Sequence, residues 1–115
     1  MKHMFLIFRS EEALQAMPAA SRNEMFAAYG AYTGALKQAG VMVSGDPLQA
    51  AATATTVRVA KGKTQVLNGP YAEVKEQLGG FYLIDAPDLD AAISWAARCP
   101  GAQDGAMEVR PIWQM

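Results

Sequence analysis

A chain of 115 residues is long enough for one domain with a real core and too short for two. Half of it is hydrophobic (51%) and 18% is charged, the balance of a folded protein rather than a disordered one. Net charge is −1 and Lys and Arg form no run of three, which leaves a nucleic-acid or anionic-membrane role without an electrostatic footprint.

"HMFLIFRS" opens the chain with aromatic and branched residues, which predicts a buried strand over 3–9. Residues 10–20 are polar and then Ala/Pro-rich, a loop or short helix. Ser21 with Glu24 three positions on has the pattern of a capping box. From there Met25, Tyr29, Tyr32, Leu36 and Ala39 recur at three- and four-residue steps as one apolar helical stripe that stops at Gly40.

"VMVSG" (41–45) predicts a strand that leaves the core through Asp46 and Pro47. In "ATTVRVAKGKTQVLNG" two β-rich runs flank Lys61, Gly62 and Lys63, a hairpin pattern. "GGFYLIDA" (79–86) is a further strand. Pro87 and Asp88 open a second helix in which Leu89, Ile93 and Ala96 or Ala97 share a face, ending at "CPG" (99–101). "AMEVRPIW" (106–113) closes the chain as a strand.

Strand, helix, strand, hairpin, strand, helix, strand is the order of an α+β, ferredoxin-like domain over residues 1–115: two βαβ repeats with an added hairpin, an antiparallel sheet and both helices on one face. The other face must be polar or paired. Phe81, Tyr82, Leu83 and Ile84 are all apolar, so both faces of that strand read as buried and a face-to-face homodimer is expected.

Charge concentrates in "NGPYAEVKEQLGGF" (68–81). Asn68 and Gly69 tolerate positive φ and Pro70 fixes φ near −65°, so the chain turns out of the preceding strand. Glu73, Lys75 and Glu76 then alternate in sign, either as solvated loop charges or as groups that orient a polar ligand. "NGPYAEVKEQLGGFYLI" resembles the signature of the YCII-related, DGPF-domain proteins. The resemblance extends to "MKHMFLIF", "LKQAGVMVSGDPL", "ATTVRV" and "MEVRPIW". Asn68 and Tyr71 stand where the family pattern has Asp and Phe. Asn68 keeps the turn-forming hydrogen bond but removes a negative charge.

The resemblance implies a dimeric α+β barrel of ferredoxin-like subunits. It also implies a His on the first helix and an Asp after the second strand as a working pair in YCII-type relatives. Here Tyr29 takes the place of that His and Asp46 lies near the place of the Asp, so the dyad is not reproduced. Many relatives are encoded near extracytoplasmic-function sigma factors, which implies a sigma-factor-linked protein partner as the rival to a small-molecule ligand.

Candidate chemistry follows from residue types. Asp46 or Glu73 would accept a proton, and Lys75 or Arg110 would stabilise developing negative charge. Tyr29 and Tyr32 either pack with their hydroxyls bonded or, with a lowered pKa, serve as acid or oxyanion donor. Arg58 in "TTVRVA" and Arg110 in "MEVRPIW" either pair with Glu73, Glu76 or Glu108 or bind a ligand anion beside Asn68, Lys75 and Glu76. His3 reads as structural or exposed, Cys99 as an inert packed thiol, and Trp113 as a dimer-interface or pocket-wall residue.

One cysteine cannot form an intramolecular disulfide, and a single His excludes a Cys/His zinc site within one chain. "GG" at 79–80 is too little for a phosphate-binding loop. No metal and no cofactor is expected. The apolar stretches are strand-sized and Lys2 and His3 precede no leader-like segment, so the expectation is a cytoplasmic protein with no membrane segment. The overall expectation is a polar cleft beside 68–76 holding a small organic, anionic ligand, with lyase- or isomerase-type chemistry or none.

Overall fold

The computed structural model describes residues 1–115. Its strands are β1 (Lys2–Arg9), β2 (Met42–Pro47), β3 (Thr55–Ala60), β4 (Lys63–Asn68), β5 (Gln77–Asp85) and β6 (Ala106–Pro111). Its α-helices are α1 (Glu11–Ala16), α2 (Ala19–Gln38), α3 (Leu89–Arg98) and α4 (Gly101–Asp104). Four strands form one sheet in the order β2-β5-β1-β6, and every neighbouring pair is antiparallel. With β3 and β4 set aside as a separate hairpin, this is the ferredoxin-like order expected from the pattern.

Period-two alternation decides which side chains meet the helices. Phe5 and Ile7 of β1 and Tyr82 and Ile84 of β5 are buried, packed with Tyr32 and Leu36 of α2 and Ala92 and Ala96 of α3, and His3 of β1 is buried on the same face. Met4, Leu6, Phe81 and Leu83 project from the opposite face and are half-buried.

Two helix details differ from the sequence reading. The α2 helix starts at Ala19, with Pro18 as N-cap and no side-chain cap, so Ser21 lies inside the first turn and forms no capping box. The fixed φ of Pro18 already sets the entry to the helix, and its carbonyl accepts from the Arg22 N–H at 3.0 Å. On α3 the buried residues are Ala92 and Ala96, while Leu89 and Ile93 are about half exposed (47% and 50%). Small residues let this helix lie close to the sheet, which displaces the larger side chains to its flank.

Other signals hold. Gly40 (φ 73°) ends α2, with the Gly40 N–H bonded to the Lys37 carbonyl and the Val41 N–H to that of Leu36, the two bonds of a Schellman cap. Asp88 caps α3 through the Ala91 N–H at 2.8 Å. Lys61 and Gly62, both at positive φ, turn the β3–β4 hairpin. That hairpin stands off the body, and the radius of gyration, 16.0 Å, exceeds the roughly 13 Å of a compact chain this size. No helix is long and apolar enough to cross a membrane.

Candidate functional site

Only the C-terminal part of α2 is pinned to the core, by Tyr32 and Leu36. Toward its N-terminal half a cleft of about 440 Å³ opens between the helix and the β2-β5-β1 part of the sheet. That volume falls in the range of small-molecule sites.

Glycines shape the sheet side of the cleft by letting neighbouring atoms come close. Ile7 pairs with Gly80 and Phe8 with Leu78, so Gly79 is the extra residue of a β-bulge in β5. A Cβ on Gly79 would touch the Arg9 stem at 3.4 Å, and one on Gly80 would come within 3.1 Å of the Asp46 carbonyl. A Cβ on Gly45 would lie 2.6 Å from the Tyr82 ring and 2.9 Å from the Phe81 carbonyl. The double glycine within β5 thus lets the Arg9 stem and the β2 backbone pack closely along the sheet side of the cleft.

Rings and thioethers supply the walls: Phe26 and Tyr29 with Met25 from α2, Tyr82 from β5, and Met42 from β2. The Tyr82 ring is held edge-on to that of Tyr32, centroids 5.4 Å apart, and its hydroxyl shares a 2.7 Å hydrogen bond with Thr33.

Among these groups stands one cation, Arg9, whose side chain is 12% exposed. Its Nη2 donates to the Tyr29 hydroxyl at 2.8 Å and its Nη1 to Met25 Sδ at 2.9 Å. The guanidinium carbon also lies 5.3 Å from the centre of the Tyr29 ring. Burial pushes Tyr29 up to about 12, although the Arg9 charge pulls the other way. Tyr29 is thus a protonated phenol at neutral pH, able to donate a hydrogen bond or a proton but not to act as a base. Burial raises Tyr32 and Tyr82 as well, Tyr82 against the pull of its hydrogen bond to Thr33.

Of the residues singled out from sequence, Tyr29 lines this cleft, and Asp46 borders it with its backbone, its carboxylate lying with Phe81 on the far face of the sheet. Asn68, Glu73, Lys75, Glu76, Arg58 and Arg110 do neither. Glu73, Lys75 and Glu76 are exposed and form no ion pair within the chain. Arg58 lies 4.9 Å from the Tyr71 ring, and Arg110 pairs with Glu108 at 2.8 Å, the structural alternative foreseen for it. Trp113 is 83% exposed and lines no part of the cleft.

Tyr32 donates to the Trp95 carbonyl at 2.8 Å. His3 is fully buried, and neither ring nitrogen meets a partner. Cys99 is buried too, its thiol pushed up by burial against the opposing pull of the Gly101 N–H and the Tyr29 hydroxyl. No group of three or more His, Cys, Asp or Glu side chains converges as metal ligands would.

Arg9 escaped the sequence reading although a signal was present. Counting by twos from His3 through Phe5 and Ile7 places residue 9 on the face that meets the helices, where a cation needs a reason.

The YCII-related domain pattern matches residues 1–115. An uncharacterised protein of Rhizobium meliloti (strain 1021), R00369, is 49% identical over 61 residues, a match spanning 51% of this chain and 49% of that protein. Among solved structures the fold is similar to 5-chloro-2-hydroxyhydroquinone dehydrochlorinase (TftG) from Burkholderia phenoliruptrix AC1100, solved in complex with 2,5-dihydroxybenzoquinone. The two share 20% identity and a TM-score of 0.56 over 99% of this chain and 94% of that one. With the domain pattern matched from residue 1 to residue 115, the chain belongs to the YCII-related domain family.

Proposed function

We propose that the protein is a homodimer in which each subunit binds a small organic anion in the cleft between α2 and the sheet. The observation that carries this reading is the cleft itself: about 440 Å³, walled by rings and thioethers, with Arg9 as its cation. TftG, whose fold is similar, was solved with a single-ring compound, a ligand size that such a volume accommodates. Tyr29 as protonated donor is one half of what a lyase- or isomerase-type step needs; Asp46, exposed and opposite Phe81 on the far face of the sheet, would be its proton acceptor only in a site completed at the subunit interface. Glu73, Lys75 and Arg110 would join that chemistry only in a site completed at the subunit interface, since all three lie outside the cleft.

Pairing is supported by the sheet face that carries Met4, Leu6, Phe81 and Leu83, and by the hairpin. Val57, Val59 and Val66 share one hairpin face and are 59%, 69% and 61% exposed. An isolated two-stranded hairpin is marginal in water, and a second copy would cover these valines. The rival reading is a regulatory interaction module, for example for a sigma-factor-linked partner. It draws on the exposed Leu89 and Ile93 of α3, away from the sheet face.

Native mass spectrometry with a thermal-shift screen of small organic acids tests both parts. A dimer stabilised by one chemical class is the expected result, with about 2.7 kcal/mol added at a hundredfold excess over Kd. A monomer contradicts the pairing. A dimer indifferent to every acid contradicts the ligand reading and favours the rival.

A further inference from the structure

The charge of Arg9 is not balanced by its surroundings. A guanidinium carries five N–H donors. Two of them are taken, by the Tyr29 hydroxyl and the Met25 thioether, and both acceptors are neutral. The paired carboxylate oxygen, Asp104 Oδ1, is 4.0 Å away, beyond hydrogen-bonding distance, on a side chain that is 50% exposed. Withdrawing a cation from water costs several kcal/mol unless an anion compensates it. Here the compensation within the chain is partial, and the unused donors border an open cleft.

The shape beside Arg9 narrows the ligand further. Gly45, Gly79 and Gly80 leave the sheet side flat, and a Cβ on Gly30 of α2 would meet nothing within 4 Å. These stretches of bare backbone on both sides, set among the Phe26, Tyr29 and Tyr82 rings, make a slot for a flat molecule.

We propose that Arg9 selects the charge of the ligand and that the cleft takes a planar aromatic monoanion whose acidic group becomes the guanidinium's principal partner. This rests on the reading of the cleft as the ligand site. Tyr29 is then a positioning residue: by accepting from Nη2 it fixes the fork in place, and the planar fork matches a carboxylate or phenolate better than a lysine ammonium does. Asp104, at 4.0 Å, competes weakly with the ligand for the same charge.

The test compares matched probes by calorimetry: 4-hydroxybenzoate against 4-hydroxybenzamide for the carboxylate, and 4-nitrophenolate against 4-nitroanisole for the phenolate. For the wild-type protein the anion of at least one pair binds roughly tenfold or more tightly than its neutral partner, the range of a charge-assisted hydrogen bond. Arg9→Gln and Arg9→Lys lower that ratio, Arg9→Gln to about one. Asp104→Asn, which leaves the cleft lining untouched, raises anion affinity alone. Equal binding of anion and neutral probe by the wild type, or a ratio that survives in Arg9→Gln, overturns the role of Arg9 while leaving the cleft as a binding site. Should Arg9→Gln not fold, Asp104→Asn decides, since no gain for anions counts against the proposal. Failure of every probe to bind any variant overturns both this inference and the ligand reading beneath it.

Discussion

The Arg9 guanidinium and the Tyr29 hydroxyl are joined by a 2.8 Å hydrogen bond that ties the end of β1 to the middle of α2 across the cleft. Tyr29→Phe keeps the ring and removes the acceptor, leaving the Met25 sulfur as the one hydrogen-bond acceptor of Arg9. A lost hydrogen bond to a charged group costs about 1.5–3 kcal/mol. The urea midpoint is expected to fall accordingly with the slope unchanged. An unaltered midpoint would show that water replaces the hydroxyl at no cost.

Gly101 is the reason Tyr29 can sit where it does. A Cβ there would lie 2.6 Å from the Tyr29 oxygen and 2.7 Å from Ile7 Cγ2, and neither is free to retreat. Gly101→Ala is expected to cost about 1–3 kcal/mol by overpacking. It also displaces Tyr29 from Arg9, so its effect and that of Tyr29→Phe should be less than additive in a double-mutant cycle.

His3 makes a prediction of the opposite sign. A fully buried imidazole with no partner for either nitrogen carries an uncompensated desolvation cost of about 1–3 kcal/mol per group. His3→Leu, apolar and similar in size, is therefore expected to raise the unfolding midpoint. A clear loss of stability would mean that the imidazole has a partner or a role that outweighs this cost.

Alkaline pH tests the buried phenols. Tyr29, Tyr32 and Tyr82 are all raised above the ordinary tyrosine value by burial. Between about pH 10 and 12 the unfolded chain loses phenolic protons that the folded chain retains, so stability is full below that window and declines as pH rises through it. Phenolate absorbance from these three tyrosines should appear with the loss of circular dichroism rather than before it. Reversible ionisation in a folded protein would contradict their burial.

Much of the fold was legible because its signals are local. The apolar run of β1, the Lys61–Gly62 turn, the Gly40 stop and the Asp88 cap each follow from a few residues, and together they give the strand order. What sequence did not reveal depends on distance. Leu89 and Ile93 looked like core until Ala92 and Ala96 proved to set how closely α3 approaches the sheet. Around the cleft, Tyr29 and Asp46 stood out in the sequence through the resemblance, whereas Arg9 was hidden because a cation at a strand end ordinarily signals the exit to water. The charges at Glu73, Lys75 and Glu76 drew attention through composition, yet a single chain leaves them exposed and outside the cleft.

The most direct test of the central claim is a proton–nitrogen correlation spectrum of the labelled protein titrated with 4-hydroxybenzoate. A ligand held in the cleft shifts the backbone amides of Gly30, Thr33, Gly45, Gly79 and Gly80, which line it, together and to saturation. Shifts confined to residues 68–76 and Arg110, with the cleft amides silent, would place the ligand on the signature loop instead and contradict the claim.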